Sequence, residues 1–142
     1  MAKMKGIQVK VFSVDKTIDV KLDLEVEEHL QWLARLVRRG AIHGVIMGPP
    51  CTTWSVARWN RLFKGPRPLR TRSEPWGRTD VKLWTWEQRQ LDEGTKLLLA
   101  AITIFELVSM MDGVALLEHP ADMGWAPFAS IWVLEVIRKL IK

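Results

Sequence analysis

One cysteine, three histidines and no tyrosine make a short inventory of reactive side chains for 142 residues, and each scarcity excludes something. A lone Cys51 cannot close an intramolecular disulfide, so nothing covalent staples the fold and the composition favours a reducing compartment: nucleus, cytoplasm or organelle matrix. His29, His43 and His119 lack the short paired spacings of a zinc site, which leaves no metal centre to expect. The longest apolar run, Leu97 to Ile104, is interrupted by Thr103 and falls far short of the ~18 clean apolar residues that suggest a membrane span. The N-terminus carries no apolar signal core, so the expectation is a soluble chain without membrane insertion, folded as one domain over residues 1–142.

Arginine and tryptophan are what the chain has in quantity. Its net charge of +5 is concentrated between Arg58 and Lys82, where eight basic residues face two acidic ones, with Trp59, Phe63 and Trp76 interleaved. Phosphates attract arginine and bases stack on aromatic faces, so Arg58, Arg61, Arg67, Arg70, Arg72, Arg78, Trp59 and Trp76 are candidate nucleic-acid contacts. A merely solvated loop has the same composition. Trp54 also falls within reach of nucleic acid, whereas Trp84, Trp86, Trp125 and Trp132 read as packing residues, three of them beside apolar helical segments.

The alternation of Ile7 to Val14 predicts a strand ending at Asp15, and Val20 to Leu22 a short extended piece ending at Asp23. A helix follows, opened by Asp23 and the acidic turn Glu25, Glu27 and Glu28, carrying Val26, Leu30, Leu33 and Val37 at helical spacing and closed by Gly40. Ala41 to Met47 reads as a buried strand containing His43, broken by Gly48-Pro49-Pro50. Residues 56–85, punctuated by Pro66, Pro68 and Pro75, predict one long basic loop. An apolar helix from about Trp86 to Met111 ends at Asp112-Gly113, a strand Val114 to Leu117 delivers Glu118-His119-Pro120, and Pro127 suits the first position of a last helix over Phe128 to Ile141. Strands separated by helices predict an α/β fold with a mostly parallel sheet and flanking helices. Ligands in such sheets bind beyond the carboxyl ends of the strands, where Asp15, Asp23, Cys51 and Glu118 are expected.

A thiol acts as a nucleophile only as thiolate, which needs exposure and a cationic neighbourhood. Pro49 and Pro50 stiffen the backbone just ahead of Cys51, and the arginine-rich segment begins seven residues later. The commoner fate of a free cysteine is burial as a small hydrophobe, and the residues alone leave both readings open.

Gly48-Pro49-Pro50-Cys51 after a buried strand resembles the catalytic loop of the DNA cytosine-5 methyltransferases, and Leu116-Leu117-Glu118-His119-Pro120 is similar to that family's Glu-Asn motif, with His119 in place of Asn. A more specific resemblance is to methyltransferase-like domains carried by retroelements of dinoflagellates. Its motifs match Gly48 to Arg58 (GPPCTTWSVAR), Gly65 to Arg70 (GPRPLR), Pro75 to Gly77 (PWG), Leu117 to Pro120 (LEHP) and Ser130 to Trp132 (SIW), in order. The resemblance implies a partial Rossmann-like, methyltransferase-type sheet. It implies that Cys51 adds to cytosine C6 while Glu118 supports N3 of a flipped base, and that the basic loop closes over DNA. It also implies S-adenosylmethionine as cofactor, with Asp15 at the ribose, Asp23 near the adenine and Pro49 beside it. The family's Phe-x-Gly-x-Gly cofactor loop has no counterpart among Met1 to Gly6, and the later Arg-x-Arg strand and target-recognition region are not found. The expectation is therefore a truncated methyltransferase-like domain that does not turn over on its own. The alternative is a methyltransferase-derived, non-catalytic structural or interaction subunit of a larger assembly, a ribonucleoprotein among the candidates. Nucleic acid and a protein are the expected partners.

Overall fold

A computed structural model of the chain describes residues 9–60 and 65–140. The first helix, α1, spans Glu27–Arg38, with Glu27 and Glu28 in its first turn and Arg35 and Arg38 in its last, each complementing the helix dipole. It stops at Gly40, which adopts φ 69°. The Gly40 amide donates to Val37 O at 2.9 Å and the Ala41 amide to Leu36 O at 3.0 Å, a Schellman closure that residues with a Cβ adopt only at a cost. Leu33, Ala34 and Val37 are the buried stripe of α1.

Strand β1, Gly44–Met47, pairs in parallel with β2, Val114–Leu117, with Gly44 opposite Val114 and Met47 opposite Leu117. Between them runs α2, Thr85–Met110, a 26-residue helix. Its C-terminus repeats the closure of α1: Asp112 takes φ 55°, and the Gly113 amide donates to Val108 O at 2.9 Å. A short helix α3, Glu135–Leu140, ends the described chain. The result is a small mixed helix and strand fold in which a two-stranded parallel sheet has helices on one face.

Two apolar clusters form the core. Val45, Met47 and Ala115 meet Leu33, Ala34 and Val37 of α1 and Ile104 and Val108 of α2. Leu117 meets Leu98 and Ile102 of α2, Trp54, and Ile131, Leu134 and Ile137 near the C-terminus. Among the described residues no helix is long and apolar enough to cross a membrane.

Several expectations need correction. Within Ile7 to Val14, Ile7 and Gln8 lie outside the described residues, and Val9 to Val14 form no strand. Val9 and Val11 are 73% and 85% exposed, so this segment gains neither a ladder nor apolar cover; only Val14 joins the core. Val20–Leu22 is a 3₁₀ turn rather than extended, because the Asp19 side chain accepts from the Lys21 amide. Pro127 does not begin a helix. Ala129, Ser130 and Ile131 instead enter the core, Ile131–Val133 makes a 3₁₀ turn capped by Ser130, and α3 starts only at Glu135. His43 precedes β1 and is exposed.

Candidate functional site at the sheet edge

The register of the two strands decides what meets at their carboxyl ends. Met47 lies opposite Leu117, so the loop carrying Cys51 leaves the sheet beside the residue that follows Leu117. The Glu118 amide continues the ladder by donating to Met47 O at 2.8 Å. A Cβ placed on Gly48 would stand 3.4 Å from Glu118 Oε2, so the absent side chain leaves that carboxylate lying against the glycine. Cys51 is half-buried with a free thiol, and its carbonyl accepts from the Trp54 amide at 2.9 Å in a tight turn. Thiol loop and carboxylate thus leave one end of one strand pair, although 67 positions apart in sequence.

Beneath this edge lies a buried polar layer. The Trp54 ring is crossed edge-on by Trp76 at 6.3 Å and by His119 at 6.1 Å between centroids. The Arg70 guanidinium sits over Trp54 at 4.1 Å. Trp54 Nε1 and both His119 ring nitrogens are buried without a hydrogen-bond partner among the described residues. Burial, seconded by the charge of Arg70, pulls the His119 imidazole down to about 4, so the ring is neutral at pH 7.

The basic segment is ordered chiefly by its own arginines. A long stretch with little regular structure leaves backbone carbonyls to be satisfied, and a guanidinium offers five donors. Arg58 donates to Thr52 O at 2.6 Å, Arg67 O at 3.0 Å and Gln90 Oε1 at 2.7 Å. Arg67 grips both oxygens of Glu87, at 2.7 and 2.6 Å, and donates to Lys82 O at 2.6 Å. Arg72 forks onto Asp122 at 2.7 and 3.0 Å, and Arg78 onto Asp80 at 2.8 and 2.6 Å. Arg70, only 1% exposed, donates to Thr53 Oγ1 and to Pro75 O, Leu91 O and Thr95 Oγ1, all at 2.8 to 2.9 Å. Burial lowers its guanidinium well below the ordinary arginine range, to about 9.

Glu87 is the acid that sequence reasoning missed. It is 1% exposed, receives the Arg67 fork, and accepts from the Trp84 amide at 2.8 Å to cap α2. Arg67 holds its carboxyl below the usual carboxylate range. An acid three residues after a cap position is a legible signal, but Trp84 at that position conceals it.

The predicted nucleic-acid contacts therefore divide. Arg58, Trp59, Arg67 and Arg78 line one concavity of about 260 Å³ with Asn60 and Pro68. Arg72 is tied to Asp122 instead, and Trp76 is 42% exposed above Trp54. Arg61 lies outside the described residues. Arg70 must be withdrawn as a phosphate contact, since it is sealed inside, and Trp54 as a base platform, being 4% exposed. Conversely Trp84, Trp86 and Trp125, expected to pack, are 67%, 50% and 57% exposed, although Trp125 meets Phe128 edge-on at 4.6 Å between centroids, and Trp132 donates to Pro120 O at 2.8 Å.

Asp15 and Asp23, expected at the cofactor, each bond to the backbone of their own turn, and Pro49 follows β1 half-buried. Asp15 follows no strand and spends its carboxylate on the Thr17 amide and hydroxyl, both at 2.7 Å, bonds that hold it below its ordinary range. Asp23 caps the approach to α1 by accepting from the Glu25 amide at 2.9 Å. Among the described residues no group of three or more histidine, cysteine, aspartate or glutamate side chains could hold a metal ion. In comparisons with known proteins, no family model, no curated protein and no solved structure matches this chain.

Proposed function

We propose that this chain is a DNA cytosine-5 methyltransferase-like domain that keeps the pyrimidine-binding end of a partial Rossmann-like fold and does not turn over on its own. The observation that carries the reading is the pairing of Met47 with Leu117, which brings the Cys51 loop and Glu118 out at the same sheet edge. There the Cys51 thiol adds across the C5–C6 double bond of an extruded pyrimidine, the sulfur bonding to C6 and C5 taking up a proton, while the Glu118 carboxyl hydrogen-bonds its N3 side. The concavity lined by Arg58, Trp59, Arg67 and Arg78 gives the flanking strand a cationic, aromatic surface. Asp15 and Asp23 are committed to their own turns, so no methyl-transfer step is assigned to these residues.

The test separates addition from turnover. Duplex DNA carrying 2-pyrimidinone, which is electrophilic at C6 without any cofactor, should give a gel-shifted adduct that Cys51→Ser abolishes. Duplex DNA carrying 5-fluorocytosine, incubated with S-adenosylmethionine, should give none with this chain alone. Absence of any Cys51-dependent adduct on 2-pyrimidinone ends the reading.

A second reading, a non-catalytic interaction subunit, is favoured by the use made of the arginines. Arg58, Arg67, Arg70, Arg72 and Arg78 all donate to groups of their own chain, which stiffens the loop as a surface and lowers its appetite for phosphate. Binding of single-stranded DNA or RNA whose affinity is insensitive to salt between 50 and 200 mM would favour this reading, since phosphate neutralisation imposes a steep dependence.

A further inference from the structure

We propose that the outer face of the β1–β2 sheet is a docking surface for an amphipathic α-helix of another protein, with an apolar stripe and a basic residue toward each end. The inference rests on the interaction-subunit reading only in requiring a partner; it uses no chemistry at Cys51. Parallel sheets are covered by helices on both faces, and their strands are apolar throughout for that reason. Here the inner side chains Val45, Met47, Ala115 and Leu117 meet the helix-built core. The outer ones do not: Ile46 is 81% exposed, Val114 66% and Leu116 55%. Three aliphatic side chains on adjacent strands, left in water, form the kind of patch that marks an interaction site.

Shape and charge select the occupant. Two strands about 4.8 Å apart and four residues long offer a strip roughly 10 by 13 Å, which is the footprint of a single helix of two to three turns rather than of a second sheet. Gly44, at the start of β1, puts no side chain on the outer side, while just past the other end of the strand the Glu118 carboxylate lies against Gly48. Both ends are acidic: Glu118 continues the exposed side of β2 at its carboxyl end, and Asp112, exposed in the turn before Val114, stands at the other. An apolar centre between two carboxylates is complementary to an apolar stripe flanked by lysine or arginine.

A display library of 18-residue helix-forming peptides, selected on the intact chain and counter-selected on Leu116→Asp, tests this. Enriched sequences should carry apolar residues at i, i+3, i+4 and i+7 with basic residues toward the ends. The best of them should bind at least about tenfold more weakly to Leu116→Asp and to Ile46→Asp, the loss expected when one buried aliphatic contact is replaced by a charge. Circular dichroism of both variants must match the parent, and Trp86→Ser, a substitution of an exposed aromatic outside the face, should bind like it. Enrichment of extended or acid-flanked peptides overturns the helix while leaving the interaction reading standing. Failure to enrich any peptide, or a self-associated chain in sedimentation that Leu116→Asp makes monomeric, overturns the proposal as well, the latter by showing that a second copy covers the face.

Discussion

Replacing Arg70 by methionine tests the central claim about the loop, that its cations are internal struts. Methionine keeps an unbranched stem against Trp54 but removes four hydrogen bonds, to Thr53 Oγ1, Pro75 O, Leu91 O and Thr95 Oγ1. Leu91 O also accepts from Thr95 Oγ1 and so is not orphaned, whereas the Pro75 carbonyl and the Thr53 hydroxyl lose the bonds described here. Hydrogen bonds from a charged donor contribute about 1.5–3 kcal/mol each, and no carboxylate lies within salt-bridge distance of this guanidinium among the described residues, so part of that gain is cancelled by the cost of burying the charge. A net loss of about 3–4 kcal/mol is expected, against a total stability of roughly 5–15 kcal/mol. With a urea slope of about 2 kcal/mol per molar, the midpoint followed by far-UV circular dichroism should fall by about 2 M. A midpoint within about 0.3 M of the parent would refute the reasoning, because it would mean the buried charge costs as much as its four bonds return.

Three further outcomes follow from the same interior. Arg67→Met strands the Glu87 carboxylate and should lower the urea midpoint, and Arg67→Met with Glu87→Met should recover much of the loss. His119 is neutral when folded down to about pH 4 but charges near 6.5 when unfolded, so its contribution is level above pH 6.5 and stability is lost as pH falls from there toward 4, at about 1.4 kcal/mol per pH unit and about 3 kcal/mol in all. His119→Asn should flatten that part of the stability–pH curve, and an unchanged curve would show that the ring is not what titrates. Gly94→Ala should destabilise by about 1 kcal/mol despite alanine's better helix propensity, since the new Cβ would stand 2.9 Å from Thr53 Oγ1 and 3.4 Å from an Arg70 nitrogen.

What was legible in the sequence was whatever local chemistry decides. The Schellman closure at Gly40, the Asp112-Gly113 stop and the strand runs ending at Met47 and Leu117 are each written in a few neighbouring residues. So was the likeness of position between Cys51 and Glu118, because adjacent parallel strands need only a shared register to bring their ends together. The arginines were not legible, since the composition of a cationic loop is the same whether its partners are phosphates or the chain's own carbonyls. Arg58 reaches Gln90, Arg67 reaches Glu87 and Arg72 reaches Asp122, contacts 20 to 50 residues apart that no local pattern announces. Val9 to Val14, the described part of the strand expected from Ile7, form none for a related reason, as alternation describes a face that could be covered but not whether anything covers it. The same ambiguity hid the outer face of the sheet: Val-Ala-Leu-Leu reads as buried on both sides, while Val114 and Leu116 are exposed.

Glu118 is where the two functional readings compete, since it lies beside the thiol loop and also ends the bare face of β2. Their chemistry asks different things of it. Holding the N3 side of a pyrimidine needs a directed hydrogen-bonding group, which glutamine retains in altered form and alanine lacks. Attracting a basic residue at the edge of a docked helix needs only negative charge, which both substitutions remove. Adduct formation on 2-pyrimidinone DNA should therefore fall modestly in Glu118→Gln and by about a hundredfold or more in Glu118→Ala. Binding of a selected basic helix should weaken in both variants alike, by no more than about fivefold, with the salt dependence reduced equally. Equal adduct yields from the two variants would remove Glu118 from the pyrimidine site, and an alanine variant that binds the helix far more weakly than the glutamine variant would remove charge as the reason that the helix docks there.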